Sequence, residues 1–108
     1  MTSIAFLLVA IAAEVAATTA LKAADGFTRP LPSLVVAAGY ILAFVSLSYS
    51  LRGIPVGVAY ATWAGVGTVA VAVLGWLVFE ETLNLPVVGG MTLVIAGVGL
   101  ISLYSSVH

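Results

Sequence analysis

The sequence predicts an all-α membrane protein with four transmembrane helices, and three observations lead there. Of the 108 residues, 63% are hydrophobic and 6% charged, with a mean hydropathy of +1.29; a soluble domain carries about 25% charged residues. Four apolar stretches each approach the ~20 residues needed to cross a bilayer. Nearly all the charges fall in the short connections between them, and the exception is Glu14.

The first helix is expected over 3–21. Its apolar run Phe6–Ala13 resembles a secretory signal, but no positive region precedes it and Glu14 interrupts it, so it reads as a retained helix. The second is expected over 33–51, after a connection Lys22–Pro32 that holds Lys22, Asp25 and Arg29. The third, 55–79, follows Arg52–Ile54, and the fourth, 86–104, follows Glu80–Leu85 with Glu80 and Glu81. Pro55 and Pro86 suit first helical turns, where a missing N–H costs nothing, and Asn84 suits a cap. Connections this short predict consecutive helices lying antiparallel and adjacent, in a single domain over 1–108.

Several functions are excluded by composition. Three Lys/Arg without a basic run give no footprint for nucleic acid. The absence of Cys removes disulfides, thiolate catalysis and Cys-ligated metal, and the one His is the terminal His108, so no metal site is expected. Orientation is weakly encoded. Lys22 and Arg29 would lie on one side of the membrane, Arg52 and the N-terminal amine on the other. The positive-inside rule then gives almost no bias. Insertion both ways up, and hence an antiparallel dimer, is one reading; a single orientation fixed by Lys22 and Arg29 is the other.

Glu14 is the candidate centre of the chemistry. It falls within about 3 Å of the middle of its helix at 1.5 Å rise per residue. A carboxylate at that depth costs roughly 2.5–3.5 kcal/mol to insert. Burial favours the neutral acid, so such a group can hold either a proton or a counter-cation, and the two compete. At three- and four-residue spacing its neighbours are Leu7, Ala10, Ala17, Thr18 and Leu21. Most are small, and Thr18 adds a hydroxyl. The bland alternative is a neutral Glu that glues helices together.

Aromatic residues supply a second component. Tyr60 and Trp63 share a face of the third helix, and Tyr40 lies near the centre of the second. Their π-faces can attract a desolvated cation, worth about 2 kcal/mol when dry; ordinary packing is the alternative. Tyr49, Trp76 and Tyr104, near helix ends, suit an interfacial belt. Gly65-Val66-Gly67 is a candidate hinge inside the third helix. Gly90 and Gly97 give the fourth a small-residue stripe for association with a second copy or for packing within the chain.

These residues resemble the small multidrug resistance transporters, closest to their EmrE-like branch, over essentially the whole chain. The resemblance rests on Ala13-Glu14-Val15-Ala16-Ala17-Thr18-Thr19-Ala20-Leu21-Lys22, on Gly26-Phe27-Thr28-Arg29, and on Leu83-Asn84-Leu85-Pro86. It rests also on the run from Ile54-Pro55 through Ala59-Tyr60-Ala61-Thr62-Trp63-Ala64-Gly65-Val66-Gly67. It implies a transporter rather than an enzyme: a proton-coupled antiporter in the bacterial inner membrane, working as a homodimer and exporting lipophilic cations. Glu14 would be the shared site, lined by Tyr60, Trp63, Tyr40, Phe44, Thr18, Leu7 and Ala10, with position 17 beside it. Gly90 and Gly97 would form the dimer contact. The proton gradient would drive transport, with no organic cofactor. Ala17 stands where that branch usually has Gly and the guanidinium-exporting branch usually has Trp; Ala43 stands where Ser is common. A guanidinium exporter, one subunit of a heteromeric pair, and a non-transporting assembly subunit are the alternatives.

Overall fold

The computed structural model describes residues 2–104; the N-terminal amine and His108 lie outside the described residues. Four helices follow in order: α1 (Thr2–Ala23), α2 (Pro30–Ser50), α3 (Val56–Phe79) and α4 (Leu85–Tyr104). Each is long and apolar enough to cross a membrane. Lipid offers the backbone no hydrogen bonds, so apolar segments of this length satisfy their N–H and C=O groups internally as helices.

Local chemistry sets the ends. Pro30 opens α2 at its first position, three residues before Ser33, because its fixed φ and missing N–H suit a first turn. Pro55 precedes α3 as its N-cap residue, and Pro86 is the second residue of α4. Asn84 caps α4, its Oδ1 accepting the Val87 N–H at 3.0 Å. The α1–α2 turn passes through Asp25, Gly26 and Phe27, all at positive φ (48°, 69° and 66°). α3 stops at Glu80, which is left-handed with φ 56°. The next residue folds back, and the Glu81 N–H reaches the Gly75 carbonyl at 3.2 Å.

The helices form a slab of 43 × 34 × 16 Å in the order α2, α1, α3, α4. This corrects the expectation that every consecutive pair is adjacent. α1 stands between α2 and α3, whose backbones do not pack on each other. The reason lies in α1's two small-sided faces. One face carries Ala10, Ala13 and Ala17, all buried. Against it, a Cβ on Gly39 of α2 would stand 2.7 Å from the Ala17 Cβ and 3.1 Å from the Ala13 carbonyl. The other face, Leu7, Ile11 and Val15, forms an apolar core with Ile54 and Ala59. α4 packs on α3 and buries none of its own residues.

Candidate functional site

Glu14 lies on the side of α1 that faces α3. Its Oε2 is buried and has no hydrogen-bond partner. The carboxyl rests on Gly67, where an added Cβ would stand 2.9 Å from Oε2 and 3.4 Å from Oε1. Gly67 is thus the position whose missing side chain makes room for the acid. Gly65 faces the other way, toward α4, where a Cβ would meet a Val98 methyl at 2.6 Å. α3 is helical throughout this segment, and each glycine admits a different neighbour.

Two cavities flank the Glu14–Gly67 contact along the same α1–α3 groove. Toward the start of the helices, an apolar cavity of about 340 Å³ is lined by Leu7 and Ile11 from α1 and by Val58, Thr62 and Val66 from α3. Toward their ends, a smaller cavity of about 170 Å³ is lined by Thr18, Thr19 and Lys22 from α1 and by Val71 and Gly75 from α3. The first is mostly apolar, with the hydroxyls of Thr62 of α3 and Ser102 of α4, and the second is lined by Thr18, Thr19 and the charged Lys22 and Glu81. The acid sits between them.

An aromatic chain joins α2 to α3 beside the acid. Tyr40 and Phe44 are stacked at 6.4 Å, Phe44 meets Trp63 edge-on at 5.5 Å, and Trp63 meets Tyr60 at 5.7 Å. Thr18, one turn beyond Glu14, shares a 2.6 Å hydrogen bond with the Tyr40 hydroxyl and so ties α1 to this chain. The Trp63 Nε1 is buried without a partner. Phe44 and Tyr60 are exposed on the single chain, so the aromatic surface opens outward, away from the packed core.

The structure thus brings Glu14, Thr18, Tyr40, Phe44, Tyr60 and Trp63 into one neighbourhood. Leu7 lies one step away, in the apolar cavity. Ala10 and Ala17 have no accessible surface. They lie on the face turned to α2, and Ala17 is spent on the close approach to Gly39. Gly90 and Gly97 meet nothing within 4 Å of where a Cβ would be, so neither is used for packing inside the chain. Sequence reasoning missed Gly39 and read Gly67 only as part of a hinge. Gly39 lies mid-helix opposite the Ala10/Ala13/Ala17 stripe, a small-on-small pattern that was legible; the pairing of Gly67 with Glu14 was not. Among the described residues no cluster of three His, Cys, Asp or Glu could hold a metal ion.

Comparison with known proteins points the same way as this geometry. A family model described as Small Multidrug Resistance protein matches residues 2–94. The chain is 51% identical over 102 residues to the quaternary ammonium compound-resistance protein QacF of Klebsiella aerogenes, covering 94% of this chain and 93% of that one. It is 47% identical over 100 residues to QacE of Escherichia coli, a protein of the same description, with 93% and 91% covered. With the multidrug resistance protein EbrB of Bacillus licheniformis it shares 44% over 102 residues, covering 94% and 86%.

Proposed function

The chain belongs to the small multidrug resistance family, and on that premise we propose that it exports lipophilic organic cations in exchange for protons, with Glu14 as the group that both occupy. The coarser statement is firm: it is a multi-pass membrane transporter of the multidrug and quaternary ammonium resistance type, not an enzyme. The cytoplasmic membrane is the proposed location.

One observation carries the finer reading. One oxygen of the Glu14 carboxyl, Oε2, is buried and without a hydrogen-bond partner against Gly67, between two cavities of one groove. A neutral acid there costs little, whereas a carboxylate needs a counter-charge. A bound proton and a bound organic cation are two ways of meeting that need, and each excludes the other. Trp63, Tyr60, Phe44 and Tyr40 supply π-faces for the cation. Thr18 fixes Tyr40, and Leu7 extends the apolar wall. Ala10 and Ala17 act from behind by holding α1 on α2. Gly65 and Gly67 give α3 a segment that can bend as access passes from one cavity to the other.

A single chain leaves this site open on one side, where Phe44 and Tyr60 are exposed. A second copy, docked through Gly90 and Gly97 of α4, closes it. The near-balance of Lys22 and Arg29 against Arg52 supports two copies inserted in opposite senses. The relatives' names favour quaternary ammonium and other drug-like cations over guanidinium.

The test is tetraphenylphosphonium affinity as a function of pH. Displacement of one proton per cation weakens binding by up to about tenfold per pH unit on the acid side, by linkage. Glu14→Gln abolishes the dependence. A pH-independent affinity in the parent protein would reject shared occupancy and favour a structural Glu14.

A further inference from the structure

The smaller cavity has an outer end that the exchange reading does not use. On α1, Glu14, Thr18 and Lys22 follow at four-residue spacing; on α3, Gly67, Val71, Gly75 and Phe79 do the same. The two rows run parallel along one groove, from the acid toward the end of the helices, about 12 Å along α1 at 1.5 Å per residue. The cavity lies along that groove between Thr18 and Glu81. At about 170 Å³ it is well above the ~10–15 Å³ that one water requires. The Thr19 Oγ1 is buried without a protein partner, and a buried hydroxyl beside such a space is normally satisfied by water.

The α3–α4 connection lines the outer end of this cavity through Glu81, with Lys22 and Phe79 beside it. Left-handed Glu80 turns the chain back, and the Glu81 N–H bonds the Gly75 carbonyl at 3.2 Å. The Glu81 side chain then lies over Gly75, where any Cβ would collide with it. Its carboxylate pairs with the Lys22 ammonium, which also sits 4.8 Å from the centre of the Phe79 ring. Glu81 thereby bridges the end of α1 across the gap to α3. Both partners are about half exposed, and exposed ion pairs are weak. Weakness suits a contact that opens in every cycle.

We propose that the Lys22–Glu81 pair is the latch on a hydrated route from this face of the membrane to Glu14. The proposal rests on the reading of Glu14 as the proton-exchanging group. Lys22 and Glu81 touch neither cation nor reacting proton; they govern how readily water enters the groove lined by Thr18 and Thr19. Gly75 leaves open the space in which the Glu81 carboxylate lies.

The chain contains no Cys, so Thr19→Cys places a single thiol reporter inside the cavity. Its alkylation by iodoacetamide, a neutral reagent, is followed in lipid nanodiscs where both faces are open. Glu81→Gln and Lys22→Gln should each speed labelling about two- to fivefold, the range spanned by exposed ion pairs. The charge swap, Lys22→Glu with Glu81→Lys, should return the rate toward the parent's. High salt should speed labelling in the parent and in neither single variant. Rates unchanged in both single variants, or a swap that restores nothing, would overturn the latch. If Thr19→Cys does not fold, Val71→Cys reports on the same cavity with the same expected outcomes. The pH dependence of tetraphenylphosphonium affinity, read separately on each variant, should persist. Its absence from the parent would instead sink the exchange reading, whatever the labelling rates.

Discussion

The carboxyl of Glu14 lies directly on the backbone of Gly67, 2.9 Å from the place where a side chain would begin. The only acidic residue of α1 is therefore matched to a glycine of α3, at the point where the groove between them divides into two cavities. Gly67→Ala should push the acid out of this position. Overpacking of a close contact costs about 1–3 kcal/mol, so cation affinity should fall about ten- to a hundredfold while helicity is kept. Calorimetric binding with circular dichroism alongside measures both; unchanged affinity would mean that the acid does not need this seat.

The Thr18–Tyr40 hydrogen bond makes a second, separable prediction. Thr18→Val and Tyr40→Phe each remove one hydroxyl and leave the other unpaired, at about 1–3 kcal/mol. The double variant should cost little more than either single one, because neither hydroxyl is then left without its mate. Full additivity in cation affinity would show that the two hydroxyls act independently.

Trp63 stands at the junction of the aromatic chain, in contact with both Phe44 and Tyr60. Trp63→Leu retains apolar bulk and removes a π-face. Aromatic cations should bind about thirtyfold more weakly, in line with about 2 kcal/mol for a dry cation–π contact, with a smaller effect on thermal stability. Parallel loss of both would assign Trp63 to packing rather than to the pocket.

Among the described residues a Cβ at Gly97 would meet nothing within 4 Å, so Gly97→Leu should leave the fold of the single chain intact. It should reduce the dimer fraction in chemical cross-linking, and transport with it. A variant that remains dimeric and active would remove α4 from the interface.

The fold class was legible because lipid leaves apolar segments few options. Four stretches of suitable length, with every charge except Glu14 at or beyond their ends, demand four helices. The arrangement of the helices was less so. Short connections suggested that α2 and α3 would pack together, yet α1 lies between their backbones and they meet through side chains such as Phe44 and Trp63. That outcome depends on Ala17 fitting Gly39, a small-on-small match legible in the sequence, and on Glu14 fitting Gly67, which no local pattern declares. Within the site, Glu14 was conspicuous by charge, Trp63 and Tyr60 by spacing, and Thr18 by its place one turn beyond the acid. Ala10 and Ala17 were read as space beside the carboxylate because they are small. Their smallness is used instead toward α2, where Ala17 meets Gly39. The Lys22–Glu81 contact was invisible in the sequence because it joins residues 59 positions apart.

The central claim is that one carboxyl serves both proton and cation. Its most direct test is proton release from weakly buffered, detergent-purified protein when tetraphenylphosphonium is added near neutral pH, with Glu14→Gln in parallel. The account predicts release from the parent, at most one proton per chain, and none from the variant. Cation binding by well-folded parent protein without proton release would contradict it.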